Sequence, residues 1–391
     1  MSISRRGFVR VVGLAGAASV WGAQVLARGR EGANGEAWGA PRPDDRLPQA
    51  ATQPALKAIR LSSNENPVGP PKVALDALLG AIGDAPRYPF ASVQQLVERL
   101  AAHHSVSPEC IVPGSGSGDI LRMAVYASVS PARPLVTAAP SFEDPPRYAE
   151  LIGAQIIAVP VTKDLHLDLG VMAERAKGAG LVFVCNPNNP TGTVHGSAAI
   201  TDFVERVQRV SPDTTVLIDE AYHHYVEDPG YATAVPLALQ RRNVVVTRTF
   251  SKLYGMAGLR LGYAIGQPET IAALRRQRLA NSVNALVAPA ALAALGDERL
   301  QPSERARNHE AREFTRQALA SVGYPSIASE ANFIMVDIRR DVREFNKACA
   351  DRGVLIGRPF PPLMTHARIS VGTMQEMTAA VEVFKSILAS S

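Results

Sequence analysis

Seven short apolar runs recur along the middle of this 391-residue chain, and most of the intervals between them carry helical patterns. The runs lie near residues 111, 135, 156, 182, 216, 244 and 262. A regular alternation of buried strands with helices is typical of α/β proteins, because parallel neighbours in a sheet need a crossover connection that a helix usually provides. The sequence therefore predicts an α/β fold built on a mostly parallel sheet.

The pattern changes after residue 285, where predicted strands become fewer. They lie at residues 333–338, 354–356 and 369–371, with helices around them. A chain of this length can bury two cores. We therefore divide the body into an N-terminal arm (58–90), a large domain (91–285) and a small C-terminal α+β domain (286–391).

An export signal is predicted over residues 1–27. Arg5 and Arg6 precede an uncharged stretch rich in Gly and Ala, and cleavage is expected after Ala27. The stretch is short and weakly apolar for a membrane span, so no stable membrane anchor is expected. Residues 28–57 lack periodicity and predict a flexible linker. This twin-arginine type of signal predicts a periplasmic or otherwise exported protein; if the signal is not used, the protein would stay in the cytoplasm.

The positive charge of the chain lies mostly in this N-terminal part. The formal net charge is +5, of which residues 1–27 supply three positive charges and residues 28–57 one. The body is therefore nearly neutral. A nucleic-acid partner is not indicated.

The histidines and cysteines predict no metal site. His223 and His224 are adjacent, and without a matching ligand set such a pair is more often solvated than bound to a metal. The cysteines are odd in number and share no ligand spacing, so neither a zinc site nor a disulfide framework is predicted. They are Cys110, Cys185 and Cys349.

The most distinctive polar segment spans residues 247–263, between the last two apolar runs. It carries Lys252 beside Ser251 and Arg260, with small residues such as Gly255 between them. Small residues let the backbone pass close to a ligand. A poorly solvated lysine loses its proton more easily and can attack a carbonyl, while hydroxyl and guanidinium groups suit a phosphate. A surface lysine at a strand end would be the better interpretation if this segment stood alone.

Three further polar segments follow earlier apolar runs. A Gly/Ser-rich loop over residues 114–119 opens a predicted helix, whose free amides suit an anion. An Asn/Pro-rich turn over residues 186–192 follows one run, and Asp219 ends another, where a buried carboxylate is costly unless it is paired. Ligands of open α/β sheets bind at the carboxyl ends of the strands, so we expect these segments to line one site.

These four segments, in this order, resemble those of the fold-type I pyridoxal-phosphate aminotransferases of class I/II, most closely the histidinol-phosphate aminotransferase group. The segment 247–263 is similar to the Schiff-base segment of that family. The resemblance implies a large domain with a mostly parallel seven-stranded sheet flanked by helices, and a small C-terminal α+β domain. It also implies a pyridoxal 5′-phosphate cofactor and transfer of an amino group between an amino acid, or an amino-acid-like amine, and a 2-oxo acid through a Schiff base on Lys252.

The resemblance implies a role for each matching residue. Lys252 would be the Schiff-base residue and acid/base, Asp219 would pair with the pyridine nitrogen, and Tyr222 would bond the phenolic oxygen of the cofactor. Asn189 would bond the same oxygen, and Phe142 would stack on the ring. The phosphate would be held by Ser117, Gly118, Thr249, Ser251 and Arg260, and by Tyr88 from the other subunit of a homodimer.

Substrate contacts are implied at both ends of the body. Arg368, in an Arg-Ile-Ser-Val-Gly-Thr motif, would bind the substrate α-carboxylate through its planar fork. Asn64, in an Asn-Glu-Asn-Pro motif, would lie near the substrate entrance. Arg358 is a weaker candidate for the carboxylate. Val68 stands where the histidinol-phosphate enzymes commonly carry a tyrosine, which argues against that substrate.

Alternatives to transamination remain at this point. The same scaffold supports decarboxylases and lyases, which the cofactor residues do not distinguish. A cofactor-binding accessory protein is disfavoured because Lys252 and Asp219 are both present. Export would separate the enzyme from the phosphorylated intermediate of histidine synthesis in the cytoplasm, so the expected substrate is an amino acid or a precursor of a secondary metabolite or siderophore.

Overall fold

The computed structural model describes residues 58–389, which form eleven β-strands and twelve α-helices. The strands are β1 (Ile59–Leu61), β2 (Ile111–Gly114), β3 (Leu135–Ala139), β4 (Ile156–Pro160), β5 (Leu181–Cys185), β6 (Thr215–Asp219), β7 (Val244–Thr249), β8 (Gly262–Gly266), β9 (Phe333–Asp337), β10 (Val354–Ile356) and β11 (His366–Ser370). The helices are α1 (Lys72–Gly80), α2 (Phe90–His103), α3 (Ser117–Ser128), α4 (Asp144–Leu151), α5 (Leu169–Arg175), α6 (Ser197–Val210), α7 (Val235–Gln240), α8 (Pro268–Arg275), α9 (Val287–Leu295), α10 (Leu300–Ala320), α11 (Val342–Ala350) and α12 (Met374–Ala389). The predicted export signal and flexible linker lie outside the described residues.

Seven strands form one central sheet in the order β2-β8-β7-β6-β5-β3-β4. Neighbouring strands are parallel except at β8, which runs antiparallel to both β2 and β7. Strands β5, β6 and β7 are buried along their whole length, as expected for a parallel sheet covered on both faces. The predicted α/β fold with a mostly parallel seven-stranded sheet is confirmed, and its strands coincide with the seven apolar runs.

Helices cover both faces of this sheet because successive side chains of each strand point to opposite faces. In β5, Val182 and Val184 pack in one apolar layer, whereas Leu181 and Phe183 pack in the other. Helices α2, α6 and α9 contribute to the first layer, and α3 and α8 contribute to the second. In the part of the chain that the structure describes, no helix is both long and apolar enough to cross a membrane.

A second, smaller core surrounds two short strand pairs. β1 pairs in parallel with β10, and β9 pairs antiparallel with β11. Leu61 of β1 is buried in this core together with residues of α10, α11 and α12. The N-terminal arm therefore packs with the C-terminal elements. Helix α9, which follows the predicted boundary at residue 286, lies in the first core, where its small buried residues pack against α1.

The helix after β8 is shorter than the sequence predicted. The apolar pattern predicts a helix over residues 268–282, but α8 ends at Arg275. Beyond it, the carbonyl oxygen of Gln277 accepts a hydrogen bond from the Arg122 guanidinium at 2.9 Å. The Arg122 side chain of α3 thus binds a backbone carbonyl that a longer α8 would use within the helix. The chain then turns toward α9.

Candidate active site

The candidate site lies where the carboxyl ends of the central strands meet the smaller core. A cavity of about 390 Å³ is found there, and we call it the site cavity. Tyr88 is the one predicted site residue that lies outside it. The predicted residues in its wall are Asn64, Ser117, Gly118, Phe142, Asn189, Asp219, Tyr222, Thr249, Ser251, Lys252, Arg260 and Arg368.

Lys252 follows β7 and reaches into the site cavity. Its Nζ donates a hydrogen bond to the carbonyl oxygen of Ser63 at 3.3 Å and lies 5.7 Å from the ring centroid of Tyr222. Burial lowers the pKa of Lys252 to about 8, and the positive charge of Arg368 acts in the same direction. The neutral amine, which is the form that acts as a nucleophile or base, is therefore accessible near neutral pH.

Asp219 is the last residue of β6 and is buried. Its Oδ1 has no hydrogen-bond partner among the described residues. Burial raises the pKa of Asp219 to about 7, although a backbone hydrogen bond from Ala221 and the positive charge of Lys252 act in the opposite direction. A buried carboxylate oxygen is unfavourable without a partner, so this position favours a protonated group inside the cavity.

Hydrogen-bond donors for an anion converge between α3 and the loop after β7. The first turn of α3, a 12-residue helix, offers amides without helical partners. Arg260 Nη1 donates to Ser251 Oγ at 3.2 Å, and the Ser251 amide donates to Thr249 Oγ1 at 3.0 Å. A side chain at Gly116 would clash with the Arg260 guanidinium, so only glycine permits this approach. The set matches a phosphate and comprises Ser117, Gly118, Thr249, Ser251 and Arg260.

Arg368 enters the site cavity from β11. Its Nη1 donates to Asn189 Oδ1 at 2.7 Å, and its Nη2 donates to the carbonyl oxygen of Ser62 at 2.6 Å. Its Nε is buried and has no hydrogen-bond partner within residues 58–389. Burial lowers the pKa of Arg368 to about 10, because its guanidinium has lost water. A buried guanidinium with unused donor capacity is suited to bind a carboxylate.

Asn64 connects the N-terminal arm to Tyr222. Its backbone has a positive φ of 53°, its Nδ2 donates to the Tyr222 hydroxyl at 3.1 Å, and its Oδ1 accepts from Ser370 Oγ at 2.9 Å. Burial raises the pKa of Tyr222, so its hydroxyl stays protonated at neutral pH. The arm therefore orients a residue predicted to contact the cofactor. The sequence did not predict this contact.

Tyr88 does not reach the site cavity of its own chain. Its side chain is 70% exposed, and its ring centroid lies 5.8 Å from that of Phe90, which is also exposed. Leu79 and Ile82 expose further apolar surface in the same part of the chain. A contact between Tyr88 and the cofactor phosphate would need a second copy of the chain and stays a prediction.

The cavity wall contains a charged pair, Arg358 with Glu143, whose pairing the sequence did not predict. Arg358 Nη2 lies 2.6 Å from Glu143 Oε2, and both side chains are partly exposed. The Arg358 guanidinium lies over the Phe360 ring at 4.3 Å, and the Arg368 guanidinium lies 4.7 Å from the same ring. The sequence marks Arg358, which precedes Pro359 and Phe360, as a weaker candidate for the carboxylate. Glu143 belongs to no motif, and only its position after Phe142 could have indicated it.

A buried ion pair joins β6 to β7 behind the cavity. Arg248 Nη2 lies 2.7 Å from Glu220 Oε2, and the side chains are 4% and 1% exposed. Glu220 Oε1 also accepts the amide hydrogen of Ala234 at 2.6 Å. These bonds hold the strand end that carries Asp219 against the strand that leads to Lys252.

His223 and His224 pack beside this ion pair, and the expectation that such a pair is solvated does not hold for His224. His224 is buried, and His223 Nδ1 lies 3.0 Å from the Tyr231 hydroxyl. Burial, with the nearby charge of Arg248, lowers the pKa of both histidines, and their rings are neutral at pH 7. Within residues 58–389, no group of three or more His, Cys, Asp and Glu side chains is placed to share a metal ion.

Comparison with known proteins places this geometry in context. Residues 57–384 match the family model described as aminotransferase class I and II. A histidinol-phosphate aminotransferase from Moorella thermoacetica is 38% identical over 335 residues, which cover 85% of this chain and 86% of the relative. An aromatic amino acid aminotransferase from Thermobifida fusca is 36% identical over 334 residues, which cover 85% of this chain and 91% of the relative.

A solved structure shows the same similarity. The crystal structure of histidinol-phosphate aminotransferase from Sinorhizobium meliloti, in complex with pyridoxal-5′-phosphate, superposes with a TM-score of 0.79 at 27% identity. The match covers 85% of this chain and 91% of that chain. The similarity therefore extends over both cores and the cavity between them.

Proposed function

The chain belongs to the class I and II aminotransferases, and we propose that its amino donor is an α-amino acid whose carboxylate binds Arg368. It is a pyridoxal-phosphate-dependent enzyme of fold type I that moves an amino group between an amino acid and a 2-oxo acid. One observation carries the proposal: Lys252 with a lowered pKa, the unpartnered Asp219 and the buried Arg368 line one cavity.

The residues of the site cavity fit the cofactor. Asp219 Oδ1 lacks a partner in the described structure, and a protonated pyridine nitrogen would provide one. Asn189 and Tyr222 would bond the phenolic oxygen, and the first turn of α3 with Arg260 would hold the phosphate. When bound, pyridoxal phosphate supplies an electron sink for the substrate α-carbon.

The protein's own groups then bind the substrate and move a proton. Arg368 would bind the substrate carboxylate and so hold the α-carbon in the cavity that contains Lys252. Lys252 Nζ would take the α-proton in the first half-reaction and return a proton in the second. The lowered pKa of Lys252 supports this role, because an effective acid/base titrates near the working pH.

The named relatives suggest two substrate classes, histidinol phosphate and aromatic amino acids. We propose an amino acid for this chain, because the donor capacity of Arg368 matches a carboxylate and Val68 replaces the tyrosine common in the histidinol-phosphate enzymes. The relatives reported above are all aminotransferases by name. Decarboxylation and elimination therefore receive no support.

The experiment is a spectral titration of the holoenzyme with one amino acid at a time. A productive donor is expected to convert the cofactor absorption to that of the pyridoxamine form and to release the matching 2-oxo acid. Release of carbon dioxide or ammonia in place of the 2-oxo acid would contradict transamination. The best donor identifies the substrate class.

A homodimer is the second part of the proposal, with Tyr88 reaching the partner's cofactor phosphate. The exposed apolar residues of this region support an interface, since monomers rarely expose large contiguous apolar patches. They are Val73, Leu75, Leu79, Ile82, Tyr88 and Phe90. Mixing K252A chains with Y88A chains tests the arrangement. A heterodimer regains one complete site if Tyr88 acts across the interface and regains none if it acts within its own chain.

Export through the twin-arginine route is the third part. Its support is the sequence of residues 1–27, in which Arg5 and Arg6 precede a weakly apolar stretch. The full-length enzyme is expected in the periplasmic fraction, and replacing both arginines by lysine is expected to retain it in the cytoplasm. Equal distribution of the two forms would contradict export by this route.

A further inference from the structure

The Asn-Glu-Asn-Pro motif contains a second asparagine, Asn66, that the proposed reaction does not use. Asn66 is buried and does not line the site cavity. Its Nδ2 donates to two oxygens, the carbonyl oxygen of Leu253 at 2.9 Å and Glu304 Oε2 at 2.8 Å. Leu253 is the residue that follows Lys252. A side chain of the N-terminal arm therefore binds the segment that carries the proposed acid/base.

The Leu253 carbonyl lies in the middle of a tight turn. The Gly255 amide donates to the Lys252 carbonyl oxygen at 2.9 Å, and this hydrogen bond closes the turn over residues 252–255. It joins the first and last residues of the turn, so the carbonyl of the second residue must find its partner elsewhere. Asn66 provides that partner and thereby fixes the orientation of a peptide group one residue from Lys252.

The arm contacts this turn at two further points. A side chain at Gly255, which has a φ of +69°, would clash with the backbone of Gly69 and Pro70. Two backbones can approach each other this closely where one of them carries no side chain. The carbonyl oxygen of Ser63 accepts the hydrogen bond from Lys252 Nζ at 3.3 Å. Residues 63–70 therefore pack along the turn, with Asn66 between the two other contacts.

Asn66 is held in one orientation by its own partners. Its Oδ1 accepts the Val68 amide at 3.0 Å and Arg307 Nη2 at 3.4 Å, and Arg307 Nε donates to Glu304 Oε2 at 3.0 Å. Both the oxygen and the nitrogen of the amide are thus bound, and a flipped amide would place like groups against each other. Because Glu304 and Arg307 lie on α10, Asn66 connects a long helix to the turn.

We propose that Asn66 is a positioning residue, which holds Lys252 Nζ at the reacting atoms by binding the Leu253 carbonyl. This inference rests on the proposed function, in which Lys252 carries the cofactor and moves the α-proton. Attack on a carbonyl and transfer of a proton both require Nζ within reach of a defined atom. Loss of the Asn66 bond therefore slows both steps, whereas the contacts of Arg368 and of the phosphate set are kept.

The variant that tests this bond keeps the charges and the shape of the region. N66D/E304Q exchanges an amide and a carboxylate between two hydrogen-bonded residues, so the link to α10 and the acceptor for Val68 are retained. A carboxylate at position 66 cannot donate to the Leu253 carbonyl. E304Q is the matched control, because the oxygen of its new amide can still accept from Asn66, which keeps its bond to Leu253.

The first measurement needs no substrate. The apoenzyme is mixed with pyridoxal 5′-phosphate, and the rate of Schiff-base formation on Lys252 is followed by absorption. This rate is expected to be about fivefold lower in N66D/E304Q than in E304Q, as for the loss of one hydrogen bond. Pyridoxamine 5′-phosphate has no aldehyde for the lysine to attack, so it is expected to bind both variants with equal affinity.

The second measurement uses the holoenzyme and the amino acid that converts the wild-type cofactor fastest. In N66D/E304Q, kcat is expected to fall about fivefold relative to E304Q, with KM unchanged because Arg368 keeps its contacts. Deuterium at the α-carbon of the donor is expected to slow the variant more than the control, since proton transfer by Lys252 then limits turnover. N66A removes the same bond without adding a charge, and the same pattern is expected for it.

The outcomes separate this inference from the proposed function. Equal attachment rates and equal isotope effects in N66D/E304Q and E304Q would overturn the role of Asn66. A matching loss of affinity for pyridoxamine 5′-phosphate would overturn it as well, because the whole cavity would then be disturbed. If no amino acid converts the cofactor of the wild type, the proposed function itself fails, while the attachment rates still decide whether Asn66 positions Lys252.

Discussion

The two ends of the site cavity are built in different ways. At the cofactor end, Asp219 and Lys252 lie at the ends of neighbouring strands of one sheet. At the substrate end, Arg368 comes from β11, and Asn64 comes from the N-terminal arm. The first end is a product of local sequence on a rigid sheet, whereas the second is assembled from segments far apart in the chain.

The ion pairs at the two ends differ in solvent exposure, and therefore in the free energy that the loss of one partner costs. The Glu220–Arg248 pair behind the cofactor end is almost inaccessible to solvent, so loss of one partner leaves an uncompensated buried charge. The Glu143–Arg358 pair keeps contact with water and can rearrange at little cost. Ion pairs of the same kind thus differ between the two ends: one is sealed from water behind the cofactor end, and the other stays in contact with water in the cavity wall.

The largest expected effect on activity is that of K252A, which removes the proposed acid/base from the cofactor end. Loss of a positioned acid/base is expected to reduce kcat by about 10²- to 10⁴-fold, measured as release of 2-oxo acid at saturating donor. The circular dichroism spectrum is expected to be unchanged, because the Lys252 side chain makes a single long hydrogen bond, to the Ser63 carbonyl oxygen, within residues 58–389. An activity within tenfold of the wild type would show that another group moves the proton.

The stability of the two ion pairs gives a direct comparison of the two ends. R248M leaves Glu220 buried and unpaired, so the free energy of unfolding is expected to fall by about 3–5 kcal/mol. R358M is expected to lower it by at most about 1 kcal/mol. Urea denaturation of both variants measures the difference. Equal losses would contradict the distinction between the two pairs.

The pH dependence of cofactor attachment tests the environment of Lys252. Burial disfavours the charged amine and lowers its pKa to about 8. Below that pH the amine is protonated, so the rate of cofactor attachment to the apoenzyme is expected to fall about tenfold per pH unit; above it, the rate should level off. A midpoint close to the ordinary lysine value of 10.5 would contradict the assignment.

N64A is expected to have the smallest effect, and it tests the connection between the two ends. Removing the hydrogen bond from Asn64 to the Tyr222 hydroxyl is expected to lower kcat about fivefold, as for the loss of one hydrogen bond. The pH titration of the cofactor absorption should shift as well. S370A, which loses the two hydrogen bonds between Ser370 Oγ and Asn64 but keeps the Asn64 side chain, serves as the control. An effect of S370A that exceeds that of N64A would contradict the direct role of Asn64.

The large sheet and the cofactor end were predictable because their signals are local. Each apolar run is a strand, and each polar segment follows its strand within a few residues, as Asp219 and Lys252 illustrate. Helix ends were less predictable, because contacts with other elements decide them. The predicted helix after β8 ends at Arg275, close to Gln277, whose carbonyl oxygen accepts a hydrogen bond from Arg122.

The sequence by itself determined the α/β class and the seven strands, because periodicity carries this information, and its contiguous motifs predicted the residues that would hold the cofactor. Only the tertiary structure decided that Glu143 neutralises Arg358, that Asn64 bonds Tyr222 and that His223 and His224 pack beside Arg248. The partners in these contacts come from separate loops and strands. Their charge and burial depend on distances that no local pattern encodes.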